Sequence, residues 1–389
     1  MAKRCVVCLD VEGPIINPAF DFAWLTIEHL GNDDRLKILS DRVKVFDEYD
    51  DYRWKHERDV EGHSTGTTPV IASLLAIAQG LKNDSLLSLA SNYLKFTPGA
   101  PQLIKWLIEE KGIEPYFISS AHPAAIIPVA YRLGIPSSHV FCNGYQLTKK
   151  KAERYDTERM QKTLGTEGVL KREIHDRFPY ERHSGSKILN EFLDNYLDVC
   201  IKMGKLYAAG NASEHAFQTM KSRQQELLAL VGSKEELLAE DLWYLLYSEF
   251  GVMGAHRKKV SLMSIEKREN VKKDDLVYIG DSIVDADPLT HAGHGISINC
   301  TNREALLSSR INTATPSMMS LTHVIEFAIS NKLLTNESKE TLQKELNKDL
   351  PYEEKATPQV RVFTSKEIRE NLDLVTRVNR TCKDYVKKL

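Results

Sequence analysis

The chain has 389 residues, with 52 Lys and Arg against 54 Asp and Glu, for a formal net charge of −2. That balance excludes a dedicated nucleic-acid binder, which carries a strong basic excess, but leaves room for a small anionic substrate that needs only one or two local cations. The length predicts two or three units and a core that needs no disulfide staples.

From the N-terminus, residues 5–11 form an apolar run that stops at Asp10 and turns at Glu12-Gly13-Pro14. It is read as a buried strand, too short and too soon interrupted by Asp10 and Glu12 for a signal peptide. Cys5 and Cys8 would then face opposite sides of the sheet and hold no metal together. With only six scattered cysteines, the chain fits a reducing compartment, taken as the cytoplasm. Residues 18–95 repeat apolar positions at helical spacing, as in Ala72–Ala78 and Leu86–Leu94. Pro98 restarts a helix over 100–110, Gly112 stops it, and strand 114–119 follows. A helix at 123–133, ended by Gly134, leads to strand 139–143.

Residues 150–255 differ in texture: charged, helix-favouring and poor in strand signals, with amphipathic stretches at 187–204 and 213–248. Strand-like sequence resumes at 276–280 and 295–298, with a helix between, so 150–255 reads as an insertion. The stretch 329–389 is rich in Lys and Glu at helical spacing and reads as a helical C-terminal extension. Strands alternating with helices predict an α/β fold with a doubly wound, Rossmann-like parallel sheet and helical cap insertions. No apolar run approaches the ~20 residues of a membrane span, so no membrane is expected as a partner.

In such a sheet, ligands collect at the carboxyl ends of the strands. Asp10, Ser119 and Asp281 each end a strand, and Lys258 or Lys259 opens a helix. A carboxylate at a strand end can attack phosphorus and form an aspartyl-phosphate, dividing one hard displacement into two easier ones. Asp10 is the candidate nucleophile. A carboxylate pair such as Asp10 and Asp281 is a hard-oxygen site suited to Mg²⁺. A serine hydroxyl, backbone N–H groups and a lysine ammonium would neutralise the equatorial oxygens. Glu12, two residues beyond Asp10, is the candidate acid for the leaving oxygen and then base for water.

These residues resemble the haloacid dehalogenase superfamily of phosphatases. Its first motif is an aspartate, any residue and a second acid, here Asp10-Val11-Glu12-Gly13-Pro14. A serine ending a strand matches Ser119, and Gly280-Asp281 with Asp285 matches the last motif. Lys258 lies 23 residues before Asp281, the separation of phosphoserine-phosphatase-like members, with Lys259 as the alternative. The stretch Phe96–Ala100 and the closing strand Gly295–Asn299 are similar to those members too. The resemblance implies a core domain of 1–17 with 96–149 and 256–328, a cap at 18–95 and a second cap position at 150–255. It implies a Mg²⁺-dependent phosphatase acting on a small-molecule phosphate ester, with Asp10, Glu12, Ser119 and Lys258 catalytic. Asp10, Glu12, Asp281 and Asp285 form the expected metal group, and Gly13 and Ser120 are expected against the substrate.

Glu12 departs from the usual aspartate, and Pro14 stands where threonine is common. Enolase-phosphatases and a phosphoserine phosphatase/homoserine phosphotransferase of the superfamily share Asp-x-Glu-Gly, so transfer of the phosphoryl group to an alcohol is the alternative reaction. A silent binding subunit that docks or self-associates through 150–255 is the alternative of another class. Arg53 and Arg58, with Lys55 and His56, are candidate contacts for a further anionic group on the substrate, although interleaved acids also suit a plain solvated helix face.

Overall fold

The computed structural model describes residues 5–29, 41–48, 50, 66–208, 222, 226, 236–247, 251–330, 336–348 and 358–389. Seven strands form one sheet: β1 Val6–Leu9, β2 Tyr116–Ile118, β3 Val140–Phe141, β4 Leu276–Gly280, β5 His294–Ile298, β6 Ile311–Ala314 and β7 Arg361–Thr364. Their spatial order is β3-β2-β1-β4-β5-β6-β7. All neighbours are parallel except β6 and β7. The expected α/β class and mostly parallel sheet are observed.

Alternation along the strands builds a core on each face. Val7, Leu9, Phe117, Val277 and Ile279 enter one apolar cluster, while Val6, Cys8, Tyr116, Ile118 and Tyr278 enter the other. Cys5 packs against the first cluster and Cys8 lies in the second, and neither is in a disulfide. Strands covered on both faces bury nearly every side chain, which explains unbroken apolar runs such as Leu276–Gly280.

The chain moves from β1 outward through β2 to β3, then returns to lay β4 on the other side of β1. This reversal leaves a crevice at the strand carboxyl ends, where Asp10, Ser119 and Asp281 follow β1, β2 and β4.

Six helices matter for the site: α1 Phe22–His29, α2 Thr68–Ala78, α3 Lys187–Ala208, α4 Glu236–Tyr247, α5 Ala255–Glu269 and α6 Leu372–Lys388. α1 and α2 share an apolar cluster with α3 and α4, including Ile27, Ile71, Leu74, Leu193, Leu197 and Leu245. The two stretches expected as separate insertions thus pack into each other. Arg42 donates to Asp194 at 2.9 Å, and Asn190 Nδ2 donates to the Ala78 carbonyl at 2.7 Å. Within 150–255, Leu242 and Leu245 are buried and Tyr244 stacks on Tyr145, so this part of α4 packs inward.

Two strands were not expected. β6 and β7 are four residues each, too short for a period-2 signal against their surroundings. The stretch 329–389 is therefore not purely helical: it supplies the antiparallel edge strand β7, which pairs Val362 with Thr313.

The second insertion is locked to the sheet by Arg177, which is 1% exposed. Its guanidinium donates to Glu173 at 2.9 Å and to the carbonyls of Val140 and Ser137 at 3.1 and 2.9 Å. Arg177→Met strands the buried Glu173 carboxylate and two carbonyls, so it should cost about 3–5 kcal/mol. Denaturant unfolding measures it, and a loss under about 1 kcal/mol, the value of a surface pair, would contradict the account.

Candidate active site

Asp10 is fixed by the sheet itself. Its backbone N–H donates to the Ile279 carbonyl of β4 at 2.8 Å, and its Oδ1 accepts from the Val11 N–H at 2.7 Å. The carboxylate is 3% exposed. Lys258, in the first turn of α5, is fully buried with its Nζ 3.0 Å from Asp10 Oδ2 and 2.8 Å from Asp285 Oδ1. Lys259, its neighbour, is only partly buried. Adjacent helical residues point about 100° apart, so one of the pair can enter the crevice and the other cannot.

Asp285 is consumed by its own loop. Oδ1 also accepts from Tyr278 Oη at 2.7 Å, and Oδ2 accepts from the N–H groups of Asp281 and Ser282, both at 3.0 Å. Asp281 is 7% exposed and its Oδ2 accepts from Lys383 of α6 at 2.8 Å. Oxygens of Asp10, Asp281 and Asp285 lie within 4.8 Å of one another.

Gly13 makes this convergence sterically feasible. Its φ is +95°, and a Cβ there would stand 2.5 Å from Asp281 Oδ1. Only glycine tolerates both the conformation and the contact. Thr97 Oγ1 holds the turn by donating to the Gly13 carbonyl at 2.8 Å.

Ser119 and Ser120 occupy the turn after β2. Ser119 is fully buried, and its Oγ accepts from the Ala121 N–H at 3.2 Å. Ser120 lines the cavity. His122 caps the helix that follows, its Nδ1 accepting from the Ala124 N–H at 2.9 Å.

The cavity holds about 450 Å³ and is lined by Asp10, Glu12, Gly13, Ser120 and Asp281 from the core. Asp21, Trp24, Asp47 and Asp50 from 18–95 form another wall, and no described residue of 150–255 contributes. Lys383 and Lys387 of α6 complete the lining. Sequence reading missed both lysines, because nothing in an exposed Lys-rich helix marks one position as inward. Arg53 and Arg58, with Lys55 and His56, lie outside the described residues.

Three clustered carboxylates face two ammonium groups, those of Lys258 and Lys383. Burial, reinforced by the charges of Asp285 and Asp281 and opposed by Lys258, holds Asp10 well above the usual carboxylate range. Burial and the nearby Asp21 push Glu12 up to about 8, and burial also raises Asp281. Asp285 goes the other way: burial opposes, but Lys258 and Tyr278 hold it below its ordinary value. A buried, oxygen-only group short of positive charge fits a hard divalent cation such as Mg²⁺.

No family model matches the sequence, and no curated protein matches it. In structure, the chain is similar to gene product AF1437 from Archaeoglobus fulgidus at TM-score 0.60 and 18% identity, over 99% of this chain and 98% of that one. That likeness shows the fold alone, an α/β architecture around a mostly parallel sheet. Looser overlaps involve a HAD family hydrolase, t0658, from Salmonella enterica subsp. enterica serovar Typhi, and a phospho-aspartyl intermediate analogue of phosphoserine phosphatase. The first has TM-score 0.37 and 12% identity over 76% of this chain and 62% of that one. The second has TM-score 0.43 and 11% identity over 83% of this chain and 99% of that one. Among the described residues no helix is long and apolar enough to cross a membrane.

Two outcomes follow from this geometry. Gly13→Ala should cost roughly 1–3 kcal/mol from the backbone conformation alone, with Asp281 displaced; calorimetric unfolding that matches wild type would contradict the close approach. In chelator, Asp10, Glu12 and Asp281 bind protons more tightly folded than unfolded. Their contribution is therefore complete below the ordinary carboxylate range and lost as pH rises through the folded values, which reach about 8 for Glu12. Asp285 adds nothing to that window, since its shift acts at lower pH. A melting temperature that falls from about pH 5 to 9 in chelator, and falls less with Mg²⁺, is the expected result; a flat profile in chelator would refute it.

Proposed function

We propose that the chain is a Mg²⁺-dependent phosphatase of the haloacid dehalogenase superfamily, hydrolysing a small-molecule phosphate monoester through an aspartyl-phosphate on Asp10. The observation that carries this reading is the fully buried Lys258 ammonium, 3.0 Å from Asp10 and 2.8 Å from Asp285. Burying an ammonium is costly, and this one holds a carboxylate that lines the cavity.

In this reading residues 1–17, 96–149 and 256–328 form the catalytic unit, and 18–95 with 150–255 form one composite cap. Asp10, Asp281 and the Glu12 backbone carbonyl would hold Mg²⁺, whose charge, when bound, draws the phosphate dianion toward Asp10. Asp285, its oxygens occupied, orients Lys258 and the Asp281 loop. Gly13 and Ser120 border the phosphoryl group.

Asp10 attacks phosphorus as the bond to the ester oxygen breaks, and Lys258 holds the nucleophile in line. Glu12, whose proton affinity burial and the nearby Asp21 raise, gives its proton to the departing alkoxide. The Glu12 carboxylate then takes a proton from water as the water oxygen attacks the aspartyl-phosphate, freeing phosphate and restoring both acids. Ser120, which lines the cavity, offers its O–H to a phosphoryl oxygen, and the buried Ser119 Oγ braces that turn by accepting from the Ala121 N–H.

Phosphate release from a panel of phosphometabolites, with and without Mg²⁺, tests the reading. Metal-dependent release should fall by roughly 10³-fold or more in Asp10→Asn. Undiminished release in that variant would end the mechanism. If an added alcohol collects the phosphoryl group at the expense of free phosphate, the enzyme is a transferase through the same intermediate.

A further inference from the structure

The C-terminal helix α6 reaches the site from the far end of the chain and carries Lys383 to Asp281. The contact is built, as the helix around it shows. Val375, Asn379, Cys382 and Val386 form its buried stripe. Asn379 Nδ2 donates to Asn312 Oδ1 of β6 at 3.0 Å. Asn17, in the loop after Asp10, donates through Nδ2 to the Val386 carbonyl at 2.8 Å. The helix is thus tied both to the sheet and to the loop that carries Glu12 and Gly13. Held this way, Lys383 places its Nζ 2.8 Å from Asp281 Oδ2, with side chains 21% and 8% exposed.

Its surroundings set this pair apart from a solvated ion pair. Lys258 is sealed between two acids, while the cavity wall from 18–95 is acidic at Asp21, Asp47 and Asp50. Among the described residues lining the cavity, the cations are Lys383 and Lys387, one helical turn apart. Lys387 is exposed, whereas Lys383 lies on a carboxylate of the clustered acids.

We propose that Lys383 is a positioning residue that acts as a built-in competitor for the divalent cation at Asp281: its ammonium lowers the affinity of the empty site for metal and favours the phosphate anion once metal is bound. A monovalent cation hydrogen-bonded to one ligand oxygen repels a second cation approaching the same carboxylate. The same charge attracts a dianion, so one residue moves the two affinities in opposite directions. Docking of the C-terminal helix thereby becomes part of the assembly of the site.

The inference rests on the metal-site reading above, so the test measures binding on the full-length protein, apart from turnover. Calorimetric titration with Mg²⁺ alone, then with inorganic phosphate at saturating Mg²⁺, compares wild type with Lys383→Gln, Lys383→Arg and Lys387→Gln. Lys383→Gln should bind Mg²⁺ roughly tenfold tighter and phosphate more weakly by a similar factor. Lys383→Arg should stay near wild type, and Lys387→Gln, in solvent, should change Mg²⁺ affinity by no more than about twofold. A second measurement needs no variant: acetylation of Lys383 in the wild type, followed by mass spectrometry, should quicken when Mg²⁺ is added. Equal or weaker Mg²⁺ affinity in a Lys383→Gln protein that melts like wild type would overturn the inference alone, as would unchanged acetylation in a protein that binds Mg²⁺. Failure of both wild type and Lys383→Gln to bind Mg²⁺ would remove the metal-site reading and this inference together.

Discussion

The buried ion triad of Asp10, Lys258 and Asp285 constrains everything around it. An ammonium withdrawn from water carries a penalty of several kcal/mol unless its hydrogen bonds and charge are met in place. Lys258 meets that condition only because β1 and β4 are neighbours, so that the residues beyond their ends approach the same ammonium from two sides. α5 must in turn begin at that edge of the sheet. Removing either acid would leave a buried cation half-compensated, which makes strand order, helix position and site geometry a single requirement.

Around the triad, space is as restrictive as charge. The turn after β1 brings its backbone against the Asp281 carboxylate at Gly13, a position with a left-handed φ and no room for a Cβ. The loop after β4 folds tightly enough for Asp285 to accept two backbone N–H groups of its own turn. Burial first, and the neighbouring acids after it, raise the proton affinities of Asp10 and Asp281. The arrangement is strained toward binding positive charge, by proton in the empty protein and by a divalent cation in the proposed enzyme.

The cavity is assembled from distant parts of the chain. Its core residues come from β1, β2 and β4, its acidic wall from 18–95 and its lysines from α6. The second insertion lines none of it among the described residues, yet shares an apolar cluster with α1 and α2. Its described residues therefore brace the acidic wall from behind, through the packing of the first insertion.

Asp10 and Asp281 were legible because each ends an apolar run, and a strand covered on both faces has no other place for an acid than its end. Local features of this kind also set the β1, β2, β4 and β5 strands and the α/β class. The choice between Lys258 and Lys259 was not legible, since it depends on the rotation of α5 against the sheet. Strands β6 and β7 were missed because four residues with mixed polar and apolar side chains, Ile-Asn-Thr-Ala and Arg-Val-Phe-Thr, carry little period. The union of the two insertions and the contact of Lys383 with Asp281 join residues about a hundred positions apart. No local pattern encodes such contacts, because they form only when separately determined elements are packed together. The sequence by itself determined the elements and the acids that end them; the tertiary structure decided which lysines meet those acids, since burial and direction are properties of packing.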